Sequence, residues 1–124
     1  MMPDDTEELR KNRVLIVDDE SPILRTCTHI LEKQFRVDAA ESGAAALGMI
    51  QKRGGYAVII ADLRMPGMDG MTFLSHAKKI APESEFIIQT GYADRDTITK
   101  AVKELGVSRI LVKPCDRRSL IAEV

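Results

Sequence analysis

No apolar run among these 124 residues approaches the roughly 20 needed to cross a bilayer. The opening stretch from Met1 to Asn12 is polar and mixed in charge, so it does not read as a secretory signal and is expected to be a flexible N-terminal tail, 1–12. A net charge of -1 gives no general pull toward nucleic acid or anionic membrane. There are only two cysteines, Cys27 and Cys115, and they match no metal or redox spacing. They read as small apolar residues with free thiols in a reducing cytoplasm. Repeats, linkers and low-complexity segments are also missing. What remains is one domain, 13–124, long enough to bury a proper core.

Short β-rich runs alternate with segments of helical period, the pattern of an α/β domain with a parallel sheet. The runs are Val14–Val17, Phe35–Ala39, Ala57–Ala61, Phe86–Gln89 and Ile110–Val112. The second is the least apolar and reads as an edge strand; the third is apolar throughout and reads as central.

Helices are predicted after each strand. Ser21-Pro22 should cap and start the first, which buries Ile23, Cys27, Ile30 and Leu31. Ser42 should cap the second, with Ala46, Leu47 and Ile50 inward and Gly54-Gly55 as the stop. Asp69 should cap the third, turning Phe73, Leu74, Ala77 and Ile80 inward. The fourth, about Asp94 to Leu105, is predicted to bury Ile98, Ala101, Val102 and Leu105. Asp116 should cap a fifth.

Every strand that matters ends in a polar residue. Val17 is followed by Asp18 and Asp19, Ala61 by Asp62, Gln89 by Thr90, and Val112 by Lys113-Pro114. In an open parallel sheet ligands sit outside the carboxyl ends of the strands. Three carboxylates, a hydroxyl and an amine are therefore expected to share one pocket. Taken singly, each has a plainer reading: an Asp-Asp pair as a cap, Thr90-Gly91 as a turn, Lys113-Pro114 as a loop. Their joint occurrence at successive strand ends favours a site. His29 and His76 have no second ligand at metal spacing and read as structural or solvent-facing. Met65, Met68 and Met71 read as loop packing, and Lys100, Lys103, Arg117 and Arg118 as a solvated face without a nucleic-acid motif.

The paired acids, Asp62 with its Met65-Pro66-Gly67-Met68-Asp69-Gly70 loop, Thr90-Gly91-Tyr92 and Lys113-Pro114 together resemble the receiver domain of bacterial two-component response regulators. The resemblance runs from Arg13 to about Val124. It implies a flavodoxin-like three-layer sandwich: a five-stranded parallel sheet of order 2-1-3-4-5 with five helices.

By that resemblance Asp62 is the phosphoacceptor, receiving a phosphoryl group from a sensor histidine kinase or phosphotransfer protein. Asp18, Asp19, Asp62 and the backbone carbonyl of Arg64 are the implied Mg²⁺ site, Asp18 acting through water. Lys113 and Thr90 are the implied contacts to phosphoryl oxygens. The domain is implied to catalyse only its own phosphorylation and dephosphorylation. The face of the fourth helix, fifth strand and fifth helix is the implied switch and homodimer surface, with no direct nucleic-acid or membrane binding.

Three positions depart from the family pattern. Ile110 stands where Tyr or Phe is usual, Cys115 where an aromatic is common, and the last helix is short. A C-terminal output domain beyond this chain is accordingly expected. Arg64 and Tyr92 are expected to flank the entrance to the site and slow its hydrolysis. Two other readings compete. A phosphohydrolase with an aspartyl nucleophile would carry a second acid two residues on, where Arg64 stands. A degenerate receiver would act as a phosphorylation-independent interaction or dimerisation module.

Overall fold

A computed structural model describes residues 13–90 and 95–112. Its elements alternate as β1 (Arg13–Val17), α1 (Ser21–Leu31), β2 (Arg36–Ala40), α2 (Gly43–Arg53), β3 (Val58–Ala61), α3 (Gly70–Ile80), β4 (Glu85–Thr90), α4 (Arg95–Leu105) and β5 (Arg109–Val112). All neighbouring strands run parallel, in the order β2-β1-β3-β4-β5, as the resemblance implies. Four helices are described; the predicted fifth, with Lys113 to Val124, and the tail 1–12 lie outside the described residues.

Alternation along the strands divides the core in two. Leu15, Val17, Ile59, Ala61, Phe86 and Ile88 point to one face, where Ala46 and Ile50 of α2, Phe73, Leu74 and Ala77 of α3 and Ala101 of α4 cover them. Val14, Ile16, Val58, Ile60, Ile87 and Leu111 point to the other, against Leu24, Cys27 and Leu31 of α1. With both faces covered, a central strand has no solvent side, and β3 is buried at all four positions.

Two predicted caps are present. The Ser42 hydroxyl accepts the Ala45 N–H at 3.1 Å, and an Asp69 carboxylate oxygen accepts the Thr72 N–H at 2.8 Å. Gly54 ends α2 at φ 61°, a conformation that a Cβ disfavours.

Three expectations need correction. Ser21 is not the cap of α1: it is the first helical residue and its hydroxyl donates instead to Glu41 Oε1 at 2.9 Å, while Glu20 takes the cap position. Ile80 is 43% exposed because it is the last residue of α3, where Ala81 turns back and packs on the core in its place. Val102 is 44% exposed, flanking an inward stripe of α4 that is only wide enough for Ile98, Ala101 and Leu105.

At the start of the sheet, Asp38 of β2 gathers three partners. Arg53 at the end of α2 reaches its two oxygens at 3.2 and 3.3 Å, Arg13 Nη2 lies 3.9 Å away, and the Tyr56 hydroxyl donates to it. The Arg13 guanidinium also lies over the Tyr56 ring, 4.8 Å from its centre. Burial, reinforced by the Asp38 carboxylate, pushes the Tyr56 phenol up to about 12.

Candidate functional site: an acidic pocket at the strand ends

The pocket is built from sheet hydrogen bonding. The Asp18 N–H donates to Ala40 O at 3.1 Å, extending β1 against β2 by one residue. The Asp62 N–H donates to Val17 O at 3.1 Å, extending β3 against β1 in the same way. Both acids are therefore held as rigidly as the strands they follow, on adjacent strands and at the same edge. Asp18 is 1% and Asp62 5% exposed, whereas Asp19 faces solvent.

Local turns then aim the carboxylates. Asp18 Oδ1 accepts the Glu20 N–H at 2.9 Å, and Asp62 Oδ1 accepts the Arg64 N–H at 3.2 Å. Each is a side chain bonding to the backbone two residues on, a turn that aspartate favours. Gly70 sets the depth of the loop after Asp62. A Cβ there would stand 2.2 Å from Asp62 O and 2.5 Å from Leu63 Cα, so α3 can begin against this backbone only with glycine. The loop methionines pack as expected: Met65 is buried, and Met68 and Met71 lie against the same core.

Asp18, Asp19, Glu20 and Asp62 each offer a carboxylate oxygen, and these oxygens all lie within 4.8 Å of one another. Sequence reasoning found three of the four. Glu20 was missed because the motif ends at the aspartate pair; its adjacency to that pair was the available signal. Two exposed and two buried carboxylates this close repel one another, and the donor set is all hard oxygen. That chemistry fits Mg²⁺, which takes oxygen ligands almost exclusively.

Thr90 is the last residue of β4 and is 2% exposed. Ala61 pairs with Ile88, so Thr90 lies on the strand beside Asp62 and one step further out. Thr90 in turn pairs with Val112, the residue before Lys113. The Lys113 side chain lies outside the described residues, as do Tyr92 and Cys115. Arg64 is exposed, and Ile110 is half-buried against the α2–α4 side of the core. His29 pairs with Glu32 on the surface at 3.4 Å, a solvent-facing role.

A doubly wound parallel sheet with buried acids at the carboxyl ends of β1 and β3 defines a class of α/β domains that bind ligands at the strand ends. The response regulator receiver domain family matches residues 14–124, and the chain belongs to it: a phosphoacceptor signalling domain of two-component systems. The sporulation initiation phosphotransferase F of Bacillus subtilis is 32% identical over 109 residues, covering 87% of this chain and 86% of that protein. The hydrogenase transcriptional regulatory protein HoxA of Cupriavidus necator is 34% identical over 101 residues, 82% of this chain but 21% of that regulator. A response regulator receiver domain protein from Clostridium thermocellum has the same fold, with a TM-score of 0.81 at 35% identity, covering 87% of this chain and 86% of that one. The chain thus spans about a fifth of HoxA and 31% of the regulatory protein YesN of Bacillus subtilis. Among the described residues no helix is long and apolar enough to cross a membrane.

Proposed function

We propose that Asp62 accepts a phosphoryl group from a histidine kinase or phosphotransfer protein, and that Asp18, Asp19, Asp62 and the Arg64 backbone carbonyl hold Mg²⁺ for that step. The observation that carries this reading is a buried carboxylate, Asp62, tied by its backbone to the strand that presents two more. An Asp62 oxygen attacks phosphorus, the P–N bond of the phosphohistidine breaks, and the imidazole leaves with the bonding pair and takes a proton. A bound Mg²⁺ supplies positive charge against which an anionic nucleophile can approach an anionic phosphoryl group. Thr90 contributes a hydroxyl from the neighbouring strand, and Lys113 an ammonium one residue beyond the Thr90–Val112 pair.

Thr90 ends the strand that leads into α4, so a hydroxyl drawn toward the phosphoryl group shifts the start of that helix. The face of α4, β5 and the predicted fifth helix then reports the state of Asp62 to an output domain or a second copy. Exposed Val102 supplies apolar surface for that contact. Ile110, below α4, must transmit the change by repacking rather than by swinging a ring. The setting is the cytoplasm, where such kinases present their phosphohistidine.

Incubation with a small phosphodonor and Mg²⁺ tests the reading by intact mass. One added phosphoryl group is expected, lost with chelator and lost in Asp62→Asn. Turnover of phosphomonoesters without an adduct would make the chain a phosphohydrolase. Neither turnover nor adduct would make it a phosphorylation-independent interaction module.

A further inference from the structure

We infer that Gln89 is a positioning residue for phosphoryl transfer: through Cys27 of α1 it holds the end of β4, and with it the Thr90 hydroxyl, beside Asp62. This rests on the phosphoacceptor reading above. Gln89 is 2% exposed. The alternation that turns Ile87 toward α1 turns Gln89 the same way, opposite Leu111 of β5, into an otherwise apolar layer. Its amide meets one sulfur with both ends: the Cys27 thiol donates to Oε1 at 3.9 Å, and Nε2 donates to Cys27 Sγ at 3.6 Å. A carboxamide can make up to about four hydrogen bonds, and a thiol is a weak partner for any of them. An apolar side chain of the same shape would stabilise this layer at least as well. The amide is kept at a cost, and it stands next to the site.

The sheet shows what the contact holds. The β3–β4 ladder ends with Ala61 opposite Ile88, so Gln89 and Thr90 run on past β3, alongside Asp62. Beyond that point they pair with Leu111 and Val112 of β5, the strand at the sheet's edge. Backbone pairing thus ties this end of β4 to the edge and not to the strands that carry the acids. The contact from Gln89 to Cys27 supplies the other tie. Cys27 lies on α1, which starts just after Asp18, Asp19 and Glu20 and packs Leu24 and Leu31 against Val14 and Ile16 of β1. The strand that presents Thr90 is thereby joined to the helix that follows the paired acids. Such a tie matters because a misplacement of about 1 Å in a reacting array can cost about a hundredfold in rate.

The test follows phosphoryl uptake by the whole chain from a small phosphodonor with Mg²⁺, by intact mass against time over a range of donor concentrations. Wild type is compared with Gln89→Met, Cys27→Val, the double variant and Cys27→Ser, each also unfolded in urea. Methionine keeps the length of Gln89 and drops both polar groups, so Gln89→Met should be as stable as wild type or more so. Its maximal rate should still fall about tenfold, with the donor concentration at half-maximal rate unchanged, because the hydroxyl is missed in the transition state. Cys27→Val should lose as much, and the double variant no more than either single. Cys27→Ser keeps a donor and an acceptor and should stay within about threefold of wild type. A wild-type rate in Gln89→Met, a rate loss matched by loss of folded protein, losses that multiply in the double variant, or Cys27→Ser as slow as Cys27→Val each overturn the inference. In those cases wild-type uptake leaves the phosphoacceptor reading standing. If wild type takes up no phosphoryl group, both fall.

Discussion

Gly70 lies so close to Asp62 that a Cβ built on it would stand 2.2 Å from the Asp62 carbonyl oxygen. The obstacle is backbone, not a side chain that could swing away, so accommodating a methyl group means moving either α3 or the acid itself. Gly70→Ala should cost about 1–3 kcal/mol in urea unfolding. Its phosphoryl uptake should fall further than the loss of folded protein accounts for. Wild-type uptake in the folded fraction would show that the loop yields without disturbing Asp62.

The four clustered carboxylates make the pocket a liability without a cation. Removing one charge by Asp62→Asn should raise the unfolding free energy in chelator by up to about 1 kcal/mol, and the thermal midpoint with it. Mg²⁺ at 100 times its dissociation constant should stabilise wild type by about 2.7 kcal/mol and the variant by much less. Thermal unfolding with and without Mg²⁺ checks both halves.

Tyr56 is an alkaline switch on stability. Its phenol is pushed up to about 12 in the folded chain from an ordinary value of 10.0, so the folded state keeps a proton that the unfolded state gives up between those values. The stabilisation is complete below pH 10 and is lost as pH rises toward 12. Wild type should therefore lose stability faster than Tyr56→Phe across that window. Parallel curves would show that neither burial nor the Asp38 contact distinguishes the two states of the phenol.

Thr28 carries a buried hydroxyl oxygen with no hydrogen-bond partner among the described residues. Valine has nearly the same shape and a similar helix propensity. Thr28→Val should therefore be neutral or stabilising by about 1 kcal/mol, because it removes an unsatisfied polar group without opening a cavity. Destabilisation on denaturant titration would mean that the hydroxyl has found a partner.

The sheet and its acids were legible because their signals are local and redundant. A short apolar run such as Ala57–Ala61, bounded by Gly54-Gly55 and Asp62, reads as a covered strand, and the polar residue after it marks the strand end. Two helix caps were legible for the same reason, since Ser42 and Asp69 act within three residues. Less accessible was anything that depends on where an element stops in space. Ile80 has the right period for the core but sits past its end, and Val102 misses a stripe whose width is set by α4's seat on the sheet. The Asp38 cluster joins β1, β2, α2 and Tyr56, an arrangement that no spacing along the chain announces. Glu20 escaped because the recognised motif ends at the aspartate pair just before it.

Val17 hands its carbonyl to Asp62 in the same ladder that aligns Ile16 with Ile60 and Leu15 with Ile59. A slip of one position between those strands would part the acids and exchange the two sides of each strand at once. Loosened forms of this chain should therefore never keep a working pocket, and damage to its interior should silence it in step with the fraction unfolded.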